Sequence, residues 1–389
     1  MVSRPFSPRI NLEQSRKQAK DILEGFRAAD PAVLEKVRWN HPRFRGMSDG
    51  AIRESPFRLA DAQLVVARLH HFDSWPKLLR HIESLERREP AVIRYERAAD
   101  AIVSGDARVL RDLLQKHPEL VHQHSTRAHR SLLLHYVSAN GVEDYRQLSP
   151  PNSVEVARLL LEQGAEVDAT SEAYGGGSTT LGLVSSSQPP RRAGVQIPLI
   201  DLLLDRGASI EGVAPGKSPL GAALANGCPE AARALVDRGA RVPDVVAAAG
   251  VGWLDLVKKL AERGEGRDLE EALVAAAGVP GATDVVEFLL DGGVDVAAST
   301  RWTALHHATG SGDLRTIDLL IRRGAPLETE NMYGGTALGQ AIWYAYNGDP
   351  ASIREYAAVI EALVAAGART DAYPRMGEHL AEIRRRARA

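Results

Sequence analysis

The chain has 389 residues, with 48 lysines and arginines against 50 aspartates and glutamates, a net charge of −2, so no global field favours nucleic acid or an anionic membrane. One cysteine, Cys228, excludes an internal disulfide framework and a cysteine-based zinc cluster. No apolar run reaches spanning length, and the polar opening lacks the core of a signal peptide, so a cytoplasmic, monomeric protein away from membranes is expected.

Residues 1–10 contain Pro5 and Pro8 and read as a loose arm. Over 11–28, Leu12, Ala19, Ile22, Leu23 and Phe26 form one helical stripe that ends near Asp30-Pro31. A second helix is expected over 32–39, then a basic loop over 40–50 with His41, Arg43 and Arg45. Two more helices, 59–70 and 75–87, flank the turn His71-Phe72-Asp73-Ser74 and complete a four-helix region, 1–90.

From Tyr95 onward the chain repeats itself. A Gly-Ala phrase recurs at Gly164-Ala165, Gly207-Ala208, Gly239-Ala240, Gly293-Val294, Gly324-Ala325 and Gly367-Ala368, with a weaker copy at Gly264. The spacings are 43, 32, 25, 29, 31 and 43 residues, a solenoid with irregularities. The first repeat, 96–117, ends in His117-Pro118. The second opens at Leu132-Leu133-Leu134-His135 and carries an extra stretch, 141–151, between its helices. The third has a tri-glycine opening at Gly175-Gly176-Gly177 and an insertion over 187–195. Repeats five and six are Ala-rich and have lost the hairpin signal, and the eighth holds a third insertion over 346–353. A final helix over 377–388 ends in arginines, which suit the negative end of a helix dipole.

The seventh repeat is the clearest: Thr303-Ala304-Leu305-His306-His307-Ala308, Gly310-Ser311-Gly312-Asp313, Ile317-Asp318-Leu319-Leu320-Ile321, Gly324-Ala325. It resembles the ankyrin repeat, a unit of about 33 residues with a turn and two antiparallel helices opened by T-P-L-H-x-A. Thr303 is placed to cap a helix, Leu305 and Ala308 share one face, and Gly324 sits where a left-handed cap wants no side chain. The segment from Leu59 through Phe72-Asp73-Ser74-Trp75-Pro76 is similar to a helical segment that precedes the repeats in bacterial ankyrin-repeat proteins. The stretches 133–143 and 174–182 look like others shared by that group. The resemblance implies an all-α ankyrin solenoid: an N-terminal capping region 1–90, an array of about eight units over 91–372 and a C-terminal helix 373–389.

It also implies a binding module that takes a protein or small-molecule partner on a concave surface of hairpin tips and first helices. The exposed positions transferred from the family are Met332, Tyr333, Trp302, Trp343, Tyr344, Asn140, Ser186 and Ser187. Aromatics are only 5% of the chain, yet five of these positions are Trp, Tyr or Met, residue types suited to binding hot spots. Tyr174, Tyr136 and His307 complete the candidate binding set. His135 and His306 occupy the motif histidine, whose role in the family is to hydrogen-bond backbone between adjacent repeats.

A second reading stays open beside it. The loop 141–151 offers Glu143, Asp144, Tyr145 and Arg146 near His129 and Arg130, and carboxylates beside a phenol and a guanidinium suit acid/base work on a small polar molecule. Glu143, Tyr145, His129 and Arg130 are its candidate catalytic residues. No nucleophile elbow, phosphate loop, dinucleotide fingerprint or His-Glu-x-x-His helix is present, so neither cofactor nor metal is expected. Cys228, in the turn of the fourth repeat, is expected to be exposed and inert.

Overall fold

The computed structural model describes residues 10–87, 89–262, 266–347, 353–371, 373 and 376–386. The expectations for the arm over 1–9, for Gly264, for 348–352 of the third insertion and for 387–388 lie outside these residues. The chain divides into two compact units, 1–222 and 223–389.

The first unit begins with α1 (Leu12–Arg27), whose cap is the Asn11 side chain accepting from the Gln14 amide at 2.7 Å. Next come α2 (Pro31–Asn40), α3 (Asp49–Glu54), α4 (Leu59–Leu69) and α5 (Trp75–Glu86). Asp30, Ser48 and Ser74 cap α2, α3 and α5, each accepting a first-turn amide that would otherwise lack a partner. These helices share a core that includes Ile22, Phe26, Leu34, Val37, Val66 and Leu78. The basic loop is more ordered than its sequence suggests: it holds a 3-10 turn, Pro42–Phe44, and runs into α3. Phe44 and Ile52 are both fully buried and pin it, but two anchors eight positions apart make no helical period.

The repeats of this unit are α6 (Pro90–Ser104) and α7 (Ala107–Lys116), then a 3-10 turn Leu133–Ser138 and α8 (Ser153–Glu162). After them come β1 (Thr170–Ser171), β2 (Ser178–Thr179), α9 (Thr180–Ser185), α10 (Gln188–Arg192) and α11 (Gln196–Asp205). In the second repeat the first helix is replaced by the 3-10 turn, which ends at Ala139 with φ +48°. The insertion of the third repeat folds into α10. Gln196 holds it down, its buried Nε2 donating to the carbonyls of Val184 at 2.9 Å and Ser187 at 3.1 Å. β1 and β2 form an antiparallel hairpin pairing Thr170 with Thr179 and Ser171 with Ser178.

Helix α12 (Pro219–Ala225) falls at the division between the units. The second unit holds α13 (Pro229–Asp237), α14 (Val245–Val251), α15 (Leu254–Ala261), α16 (Gly266–Ala277) and α17 (Thr283–Asp291). It continues with α18 (Ala304–Ser311), α19 (Leu314–Arg322), α20 (Ala337–Asn347), α21 (Ile353–Ala365) and α22 (Met376–Arg386). Its core runs through Val286, Leu289, Leu305, Ile317, Leu338 and Ile360. Among the described residues no strand accompanies α14 to α17, which agrees with the missing hairpin signal. Cys228 departs from expectation: it is fully buried at the start of α13, where a small apolar side chain packs as well as a turn residue would.

The described glycines of the recurring phrase adopt the left-handed backbone, Gly324 with φ +86° among them. Nothing lies within 4 Å of where a Cβ on Gly324 would stand, so Gly324→Ala is expected to cost only the backbone strain, about 1–2 kcal/mol. Urea unfolding of the variant checks this; an unchanged midpoint would mean the turn relaxes.

Candidate functional site

The motif histidines set the geometry of the repeats. His306 Nδ1 faces the Thr303 hydroxyl at 2.8 Å, while Nε2 reaches the Gly335 carbonyl of the next repeat at 3.0 Å. His135 does the same between the Leu132 amide, 3.1 Å, and the Ala169 carbonyl, 3.0 Å. Each ring bridges two successive hairpin segments, and burial pushes the pKa of both down, His135 to about 4. They are neutral structural bridges.

In the first unit the loop over 141–151 closes on a buried ionic network. Arg127 grips Glu96 with two parallel bonds, Nη1 to Oε1 at 2.5 Å and Nη2 to Oε2 at 3.1 Å, and its Nη2 also donates to the Tyr145 hydroxyl at 3.2 Å. Its Nε lies 2.6 Å from Glu143 Oε1, an ion pair out of line for a hydrogen bond. Arg146 donates from Nε and Nη2 to Asp100 at 2.9 and 2.6 Å and from Nη1 to Glu143 at 3.3 Å. Tyr136 donates to Glu143 Oε1 at 3.3 Å, and Tyr95 donates to the Ser131 carbonyl at 2.5 Å. Both guanidiniums are about 1% exposed. At such depth charge is tolerable only when paired.

Burial raises the carboxyl pKa of Glu96 and Glu143, but Arg127 and Arg146 outweigh it, leaving Glu96 at about 2 and Glu143 well below the usual range. Because these folded-state pKa values are lowered, the network stabilises the protein above about pH 4.5 and loses that contribution as pH falls toward about 2. Acid titration followed by circular dichroism should show this loss flattened in Glu96→Gln at the same denaturant concentration.

The network gathers three of the four candidate catalytic residues, Glu143, Tyr145 and His129, and leaves Arg130 exposed outside it. Glu143 is held ionised between two cations, burial raises the Tyr145 hydroxyl pKa, and His129 Nδ1 accepts the Ser131 amide at 3.1 Å. Tyr136 is fully buried, its ring beside Arg146. Ser187 is likewise buried. Asn140 is half-buried and committed, donating to the Leu183 carbonyl at 3.2 Å and Ser186 at 3.1 Å and accepting from the Tyr174 hydroxyl at 2.6 Å. Tyr174 itself is 67% exposed and holds a left-handed φ of +54°. Arg127, Glu96 and Asp100 carry the network and were not singled out by sequence. The only sequence signal was an arginine two positions from His129, without any fixed spacing to its partners.

The second unit presents a different surface. Tyr333 is 76% exposed, Trp343 58% and Met332 54%, in a unit whose other large apolar side chains are mostly buried. The Trp302 ring, half-buried, sits edge-on to Tyr333 at 6.0 Å and against His307 at 6.1 Å. The Met332 amide donates to the Arg301 carbonyl at 3.2 Å, which joins the two hairpin tips. Trp343 meets Tyr344 edge-on at 5.3 Å, and Tyr344 stacks on Tyr356 at 5.2 Å. Burial, with His306 beside it, pushes the half-buried His307 down to about 4, so it is neutral at pH 7. Trp343→Ala is expected to leave stability within about 0.5 kcal/mol of wild type, as for a surface position. A large loss in a urea melt would place Trp343 in the core.

Helix pairs closed by left-handed glycines and bridged by histidines define the class, a helical repeat protein. Residues 273–372, about a quarter of the chain, match the family described as ankyrin repeats in three copies. That stretch of the chain is made of ankyrin repeats. None of the curated proteins matches it. The crystal structure of the human ASB11 ankyrin repeat domain is similar at 22% identity, covering 60% of this chain and 96% of that one, with a TM-score of 0.29. No described helix is long and apolar enough to cross a membrane, and no group of three or more potential metal ligands occurs among the described residues.

Proposed function

We propose that this protein is a binding module whose second unit takes a protein partner on the hairpin-tip and first-helix face built from Trp302, Met332, Tyr333, Trp343 and Tyr344, with His307 behind Trp302. The exposure of Tyr333, Trp343 and Met332 carries the reading. Large aromatic side chains left in water while the apolar core is filled are a standing cost that a partner removes, and Trp and Tyr are the residue types that dominate interface energetics. The neutral His307 keeps the base of the strip uncharged, which favours an apolar or aromatic anchor on the partner. Tyr174 and Asn140 form a separate edge in the first unit. Residues 1–90 act as the cap of the first repeats, because a terminal repeat needs its open apolar face covered. Catalysis at Glu143 is the weaker reading, since the guanidiniums that hold it ionised also occupy its Oε1.

Affinity capture from lysate with wild type and with a Tyr333→Ala/Trp343→Ala variant tests the reading. A protein retained by wild type and lost, or weakened at least tenfold, with the variant supports it. Equal retention by both would move the interface away from this strip, and a retained small molecule without protein would overturn the protein-partner reading.

A further inference from the structure

The contact between the N-terminal helices and the first repeats is crowded with histidines around one buried cation. His81, on α5, is buried, and one ring nitrogen, Nδ1, meets the Thr126 hydroxyl at 2.9 Å. The other, Nε2, is buried without a hydrogen-bond partner. Phe72, from the turn before α5, lays its ring over the Arg127 guanidinium at 5.7 Å. His71 accepts the Ala128 amide on its carbonyl at 2.7 Å and turns its ring toward Asp144 at 3.6 Å. Its ring also stands 6.1 Å from that of His129. His70, whose ring meets Gln18 at 3.3 Å, completes the set.

We propose that this contact is an acid-sensitive latch: protonation of His81, helped by His70 and His71, releases residues 10–87 from the first repeats while both parts stay folded. A proton on His81 would leave a charged N–H without an acceptor beside a guanidinium that cannot lose its own charge. The groups facing His81 from the repeats are Arg127 and Arg146, which oppose the proton, and Glu96 and Glu143, which favour it. Those two carboxylates are already engaged by the same two arginines. His71 faces His129 and Arg127 against Asp144 and Glu143, and His70 faces Arg127 and His71. Burial first, and Arg127 second, hold His81 down to about 4.

The sign follows from linkage. A histidine whose pKa is lowered in the closed state binds more protons once released, so closure is full above about pH 6.5 and is lost as pH falls toward about 4. Glu96 and Glu143 titrate only below about 4.5, so the latch opens before these two carboxylates lose their charge. The released part keeps the core that its own five helices form.

Hydrogen exchange of the full chain, corrected for intrinsic rates and read by peptides over 71–78 and 117–131, tests this. From His81 alone the opening constant should be about 30-fold larger near pH 5 than near pH 8, with exchange in α18 to α21 unchanged. His81→Gln, which can still bond Thr126 but cannot be charged, should lose most of that pH dependence. Equal exchange at both pH values, an increase spread over both units, or the same pH dependence in His81→Gln would overturn the proposal. Should His81→Gln fail to fold near pH 8, titration of the wild-type His81 ring by NMR decides: a midpoint below about 6 supports the latch, and one at or above about 6 overturns it.

Discussion

Replacing Arg127 by alanine is expected to destabilise the first unit by about 3–5 kcal/mol, the usual cost of removing one partner from a buried ion pair. The loss comes less from the bonds themselves than from what is left behind. Glu96 and Glu143 would keep a single buried guanidinium, Arg146, which also serves Asp100. Tyr145 would lose the donor that ties it to the network, and Phe72 the guanidinium under its ring. Urea unfolding by circular dichroism measures this. Arg127→Met, which keeps the bulk but not the charge, should be nearly as damaging, because the carboxylates still lack their cation. A loss below about 1 kcal/mol for both would mean that water reaches the carboxylates.

Leu305→Ala should cost about 2–5 kcal/mol, the range for a buried large-to-small change. Leu305 is 1% exposed in the core shared by α16, α18 and α20. In a stack of this kind each helix pair buries its apolar face only against its neighbours, so a cavity in α18 loosens both sides. The effect should appear as a lower urea midpoint in the second unit. A cost below about 0.5 kcal/mol would mean that the face assigned to α18 is wrong.

The repeats were legible because their signals are local and recurrent. A threonine cap with a histidine three positions on, a small residue facing the neighbouring helix and a closing glycine lie within one unit, and each has one structural use. The Thr303-to-Gly324 stretch therefore maps onto α18 and α19 almost residue for residue. The second repeat was less legible. Its Leu132-Leu133-Leu134-His135 opening matches the motif, but Ala139 turns left-handed and the helix stops as a 3-10 turn. Nothing in the residue types announces that stop.

The ionic network was half legible. Glu143 and Tyr145 stand out as polar residues in an enlarged loop, and His129 as one just before the second repeat, yet polarity alone does not say whether a side chain faces water or a buried partner. Glu96 lies 31 residues before Arg127 in the chain. Pairings at that range depend on how the first repeat packs, and no local pattern encodes them. Tyr136 is legible as an aromatic next to a motif histidine, but its full burial is not.

Site-specific photo-crosslinking through a benzophenone side chain placed at Tyr333, with a second placement at Tyr174, tests the binding reading most directly. The account predicts a protein adduct from position 333, competed away by excess wild-type chain, and none from position 174. Adducts from 174 alone, or none from 333 in a lysate where wild type retains a partner, would contradict it.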